Sequence, residues 1–293
     1  MFVPDLLKGK RILVTGGGSG LGREMVEAFL VLGADIYICG RRKSVLDETA
    51  AEFMKKHGGN VKSFAVDIRD ADMVEKMAED IFADGPLSGL VNNAAGNFIS
   101  PTRDLSSRAF DAIANIVLHG SFYVTNAIGK RWIKGGHKGS VVSILTPWVF
   151  TGAPFVVPSA MSKAGLHIMT KSLAVEWGRY GIRLNSVAPG PFPTAATKAR
   201  LRPKSAGRST DEEGSFNPMG RTGRMPELTN LVSFLMSDGC DYLTGQTIAL
   251  DGGQHLVNQL GYPNLMKLSD EEWAEVRAEI KAASERDKQK RSV

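Results

Sequence analysis

Short apolar runs alternate with longer stretches whose apolar positions recur at helical spacing. Arg11–Thr15, Asp35–Cys39, Val61–Val66, Leu90–Asn93, Ser140–Leu145, Ile182–Val187 and Thr247–Leu250 are each brief enough for a strand. Between them, Leu21–Gly33 carries apolar residues at Leu21, Met25, Ala28, Phe29 and Leu32 and ends on a glycine. Helices are also predicted over Lys43–Lys56, Ala71–Ala83, from Ser107 past Asn115, and over Phe122–Ile133, Ser159–Tyr180 and Leu228–Met236. Such alternation predicts an α/β fold: a doubly wound parallel sheet with helices on both faces.

Residues 139–162 carry no formal charge, but three prolines and many hydroxyls make a membrane-spanning helix a poor fit. No membrane insertion is expected. Met1–Lys8 lacks the charged-then-apolar pattern of a secretory leader, and a cytoplasmic location is expected. The 293 residues are 43% hydrophobic and 23% charged, an ordinary globular composition. Cys39 and Cys240 stand far apart, which fits a reducing compartment and gives no basis for a metal cluster.

Net charge is +5, from 36 basic and 31 acidic residues. Lys198, Arg200, Arg202, Lys204 and Arg208 fall together with no acid until Asp211. Without those five the chain is neutral, so the excess is local. The segment, within a lid expected at about 191–220, either attracts a phosphate-bearing substrate or is a solvated charge run. No aromatic residues interleave these bases, so nucleic acid is not an expected partner.

The turn after the first strand reads Thr15-Gly-Gly-Gly-Ser-Gly-Leu-Gly22. Gly16, Gly18, Ser19, Gly20, Leu21 and Gly22 could bring backbone N–H groups against a phosphate at a helix N-terminus. A tight strand–helix turn is the plainer alternative. The second strand ends at Gly40, where an NAD site would prefer an acid, and is followed by Arg41 and Arg42. Two guanidinium groups there favour a 2′-phosphate and hence NADP(H); a solvated helix start would look the same. Asp67 closes the third strand, placed to meet an adenine amino group or to make a turn.

Further along come Asn92-Asn93-Ala94, with Ala95 following, then Lys163, Pro189-Gly190 and Asp251-Gly252-Gly253. With Thr15-Gly16, Gly20 and Gly22, these residues resemble the short-chain dehydrogenase/reductase family in order and spacing from about Lys8 to Gly253. Asn92–Phe98, Phe155–Ala160, Ser172–Gly178 and Pro189–Pro191 resemble more narrowly its 2,4-dienoyl-CoA reductases. The resemblance implies a Rossmann domain over 1–258, a C-terminal extension over 259–293, and a homotetramer. It also implies NADPH-dependent reduction of an unsaturated fatty acyl-CoA. Within the extension, Ser269-x-x-Glu272 is a capping-box signature.

The family's acid is a Tyr four residues before its Lys; here that position is Ser159. A serine hydroxyl is a far weaker acid, and the dienoyl-CoA group also has Ser there. The family's Ser falls at Thr146. By the resemblance, an Asn and a Tyr that serve the thioester correspond to His119 and Trp148. Lys163 is expected to hold the nicotinamide ribose. His119, with the Trp148 N–H, is expected to stabilise an enolate, unless His119 is simply packed in its helix. Asn93, Pro189, Gly190, Pro191 and Thr194 are expected beside the cofactor, Thr194 either on phosphate or as a cap. Asn97, Phe98, Trp148, Phe155, Arg200 and Arg202 are expected toward the acyl-CoA. A trans-2-enoyl-CoA reductase is the nearest alternative activity, and an NADP-binding sensor or scaffold is the alternative outside catalysis.

Overall fold

The computed structural model describes residues 2–194, 217–257, 268–276 and 278–279. The chain divides into two compact units, Met1–His255 and Leu256–Val293. In the second unit residues 270–276 are helical. There Glu272 N donates to Ser269 Oγ at 3.2 Å and Ser269 N to Glu272 Oε2 at 2.7 Å, the reciprocal bonds of a capping box.

The first unit is built on seven strands: β1 (Arg11–Thr15), β2 (Asp35–Gly40), β3 (Val61–Ala65), β4 (Gly89–Asn92), β5 (Gly139–Ile144), β6 (Ile182–Pro189) and β7 (Thr247–Leu250). They form one sheet in the order β3-β2-β1-β4-β5-β6-β7. Every neighbouring pair is parallel. The helices are α1 (Gly20–Val31), α2 (Lys43–His57), α3 (Ala71–Ala83), α4 (Ser107–Ala114), α5 (Ser121–Gly135), α6 (Trp148–Thr151), α7 (Val157–Trp177), α8 (Met225–Met236) and α9 (Gln254–Val257). Among the described residues, no helix is long and apolar enough to cross a membrane.

Strand alternation sends successive residues to opposite faces. Ile12, Val14, Ile36, Ile38 and Val142 pack with Met25 and Phe29 of α1, Phe53 of α2 and Val232 of α8. Their neighbours Leu13, Tyr37, Cys39 and Val141 pack with Met77 of α3, Trp132 of α5 and Trp177 of α7. Trp132 is fully buried, and its indole N–H donates to Leu87 O at 2.7 Å. Its large apolar area is therefore buried without stranding its polar end.

The predicted strands and long helices are all present, with shifted ends. Prolines account for two of the shifts. α7 begins before Ser159 and α8 before Leu228, because Pro158 and Pro226 sit in the first turn, where a missing N–H costs nothing. Three features were not predicted. Asn115–Gly120 forms a π turn joining α4 to α5, α6 is a single turn after β5, and α9 is a single turn after β7.

The strand order reverses at β1, whose neighbours are β2 and β4. From there the chain runs outward in both directions. In open parallel sheets a ligand crevice lies at the carboxyl ends beside such a reversal.

Candidate active site

A cleft of about 570 Å³ opens at that place, within the size range of small-molecule sites. The exit of β1 supplies its floor. Gly16 has φ 68°, a left-handed conformation natural to glycine. At Gly22, one turn into α1, a Cβ would overlap the Gly16 carbonyl and lie 2.5 Å from Asn93 Nδ2. Helix and loop can therefore approach only as glycines. Ser19, the N-cap of α1, makes no side-chain capping bond and lines the cleft with Gly16, Gly18, Gly20 and Leu21. The free N–H groups at this helix start suit a phosphate.

Thr15 ties the two sides of the reversal together. Its Oγ1 accepts from Asn93 N and Ala94 N, both at 3.0 Å. Asn93 Nδ2 in turn donates to Thr15 O at 2.9 Å. Asn93, Ala94, Ala95 and Asn97 all line the cleft. The exit of β2 brings Arg41 and Arg42 to the same space, and neither guanidinium has an ion-pair partner among the described residues. Asp67 also lines it. Its carboxylate accepts from Arg69 N at 3.1 Å and Arg69 Nε at 2.9 Å, and the guanidinium holds it below the usual carboxylate range. Asp67 thus makes its turn and faces the cleft as well. Cys39, in the wall, has its thiol pushed up to about 12 by burial and is chemically quiet.

At the other end of the cleft lie Thr146, Trp148, Ser159 and Lys163, while Thr194 lines it beside the glycine turn, its Cγ2 3.9 Å from where a Gly20 Cβ would stand. Ser159 and Lys163 sit one turn apart on the buried face of α7. The Lys163 ammonium donates to Ile144 O at the end of β5, and burial lowers it to about 8. Thr146 Oγ1 is buried with no hydrogen-bond partner. A buried hydroxyl without a partner is costly unless something completes it. No tyrosine is among the described residues lining the cleft.

Several expected residues sit elsewhere. His119 is exposed, its ring 6.4 Å from that of Tyr123 and outside the cleft lining. Its expected place rests on the resemblance alone, which matches it to an Asn. It stands in the π turn Asn115–Gly120, and it is Ile116 of that turn that lines the cleft. Phe98 packs on a small cluster around Val117 and Leu166 rather than on the cleft. Phe155 is half exposed at φ 65°, its carbonyl held by Ser100 N at 2.9 Å. Pro189, Gly190 and Pro191 do not line the main cleft; Pro191 lines a smaller cavity with Asp251 and Arg221. Gly190 packs so closely that a Cβ would lie 2.8 Å from Asp251 Cα. Arg200 and Arg202 lie outside the described residues. Ile116, Ile144 and Leu145 line the cleft without any signal in the sequence beyond apolarity.

Residues 16–255 match the family described as enoyl-(acyl carrier protein) reductase. The chain is 47% identical over 255 residues to a probable 2,4-dienoyl-CoA reductase of Caenorhabditis elegans, covering 86% of this chain and 82% of that one; that relative is named for a (3E)-enoyl-CoA product. A crystal structure of a short-chain dehydrogenase from Bacillus anthracis superposes with TM-score 0.78 at 39% identity, covering 85% of this chain and 98% of that one. A gluconate 5-dehydrogenase from Burkholderia cenocepacia, solved with NADP and tartrate, also gives 0.78 at 28% identity over 85% of this chain and 96% of that one. Sheet order, glycine turn and relatives agree: the chain belongs to the short-chain dehydrogenase/reductase family, alongside its 2,4-dienoyl-CoA reductases.

Proposed function

We propose that the protein is an NADPH-dependent 2,4-dienoyl-CoA reductase. The observation that carries this reading is the polar end of the cleft: Lys163 and two buried hydroxyls, Ser159 and Thr146, with no phenol among the described lining residues. Reduction of a simple ketone needs an acid to protonate the new alkoxide, and a serine hydroxyl is a poor one. Reduction of a conjugated thioester needs chiefly hydrogen-bond donors for charge that develops on the thioester oxygen.

The residues present fit NADP(H). The Gly16–Gly22 turn with the α1 N-terminus cradles a diphosphate. Arg41 and Arg42, with no ion-pair partner among the described residues, suit a 2′-phosphate beside the cleft. Bound there, the cofactor supplies a hydride to the conjugated chain. Lys163 holds the nicotinamide ribose hydroxyls and keeps positive charge near the substrate. The hydroxyls of Thr146 and Ser159 and the indole N–H of Trp148 are donors for the thioester oxygen. Protonation of the resulting dienolate at C2 gives a (3E)-enoyl-CoA, the product class in the relative's name; protonation at C4 would give the (2E) isomer.

The basic run from Lys198 to Arg208 is the natural contact for CoA phosphates. Met161, Ile168 and Val175 recur every seven residues and are all exposed on α7. Such an unpartnered apolar stripe supports assembly into an oligomer, with a tetramer as the form to test by light scattering.

The deciding experiment is NADPH oxidation by purified protein with 2,4-dienoyl-CoA, trans-2-enoyl-CoA and a simple ketone, with products identified by NMR. Turnover of the dienoyl thioester to the 3-enoyl product is expected. Turnover of the 2-enoyl thioester alone would make it an enoyl-CoA reductase. Tight NADPH binding with no turnover of any of the three would make it a sensor or scaffold.

A further inference from the structure

α6 is one turn long, yet it carries Trp148 into the cleft. Residues two apart on a helix project about 200° from each other, at about 100° per residue. Phe150 therefore faces away from the cleft when Trp148 faces into it. It lies between two imidazoles. The His255 ring centroid is 5.0 Å from that of Phe150 at 36°, and the His167 ring is 5.9 Å away at 76°, edge-on.

Both imidazoles are held from behind. His255 Nδ1 lies 2.8 Å from Asp251 Oδ2, which also accepts His255 N at 2.9 Å. The Asp251 side chain is only 2% exposed, and its other oxygen accepts Gly253 N at 3.0 Å. His167 Nδ1 lies 2.8 Å from Thr247 Oγ1 on β7. None of Asp251, His255, His167 and Phe150 lines the cleft. The socket is made by His167 on α7 and His255 on α9, just after β7, and among the described residues α6 makes no other ring contact.

We propose that His255, oriented by Asp251, is a positioning residue. Through Phe150 it sets how Trp148 enters the cleft, and so the fit of the acyl thioester. The part concerning the thioester rests on the dienoyl-CoA reading; the part concerning Trp148 does not. Asp251 is a poor target for a test because it also abuts Gly190. His255→Ala and His255→Phe separate the roles, since phenylalanine keeps a ring on Phe150.

His255→Ala is expected to raise KM for 2,4-dienoyl-CoA about 2- to 10-fold, the worth of one aromatic pair. Its Kd for NADPH should stay within about twofold of wild type, and His255→Phe should restore KM. Acrylamide quenching of tryptophan emission, taken with and without Trp148→Phe, reads Trp148 alone and should increase in His255→Ala. Unchanged quenching, or an NADPH Kd that moves as much as KM, would overturn the proposal. If no dienoyl-CoA is turned over but quenching of Trp148 rises, the functional reading fails and the positioning role stands.

Discussion

Replacing Lys163 with Met should make the cofactor-free protein more stable while destroying its activity. The side chain is 4% exposed, and burial alone lowers its ammonium from 10.5 to about 8. At about 1.4 kcal/mol per tenfold, holding that charge at pH 7 costs the folded state about 3 kcal/mol. The bond to Ile144 O returns about 1 kcal/mol. A methionine of similar length removes both effects, for a net gain of about 2 kcal/mol. For a chain of this size that is about 4–8 °C in Tm. The pH dependence has a definite sign. Between pH 8 and 10.5 the unfolded chain binds the proton that the folded chain has released, so wild-type stability from this group rises with pH. The Met variant's advantage is full below about pH 8 and gone by about pH 10. Thermal unfolding followed by circular dichroism at pH 7 and pH 10 measures it. A variant no more stable than wild type at pH 7, or equally favoured at pH 10, would refute the desolvation reasoning. Turnover with 2,4-dienoyl-CoA should fall by about 100-fold or more.

Other substitutions probe the remaining parts of the cleft. Gly22→Ala places a methyl against the Gly16 carbonyl and Asn93, and overpacking of that kind costs about 1–3 kcal/mol; isothermal titration should show NADPH affinity reduced at least about tenfold. Arg41→Ser with Arg42→Ser should weaken NADPH binding by about 10- to 100-fold, the worth of one or two charge-assisted bonds, and leave NADH binding nearly unchanged. His119→Ala, at an exposed position outside the cleft, should keep kcat/KM for the dienoyl thioester within about twofold of wild type.

Much of this architecture is legible in the order of the residues. Apolar runs at Arg11–Thr15 and Asp35–Cys39, each followed by a helical period, can bury both sheet faces only as parallel strands wound on both sides. The glycine turn, Arg41, Arg42, Asp67 and Asn93 all sit immediately past a strand's carboxyl end. A parallel sheet gathers those ends on one edge, so local position in the chain already implies convergence in space. Lys163 and Ser159 are one helical turn apart, so their shared face follows from spacing as well.

What spacing cannot convey is the phase of an irregular turn. Asn115–Gly120 forms a π turn whose Ile116 lines the cleft while His119 is exposed outside it, a phase that counting at 3.6 residues per turn does not supply. Phe98 and Phe155, apolar and near the motif residues, end up on a side cluster and in solvent; apolarity selects burial, not a particular cavity. The Asp251–His255–Phe150 contact joins residues about a hundred positions apart, on elements whose separation is fixed only when β7 pairs with β6. Residue types and periodicity therefore determined the sheet, the cofactor edge and the absence of a phenol at position 159. Long-range packing decided which face each irregular turn presents, and with it which side chains wall the substrate end of the cleft.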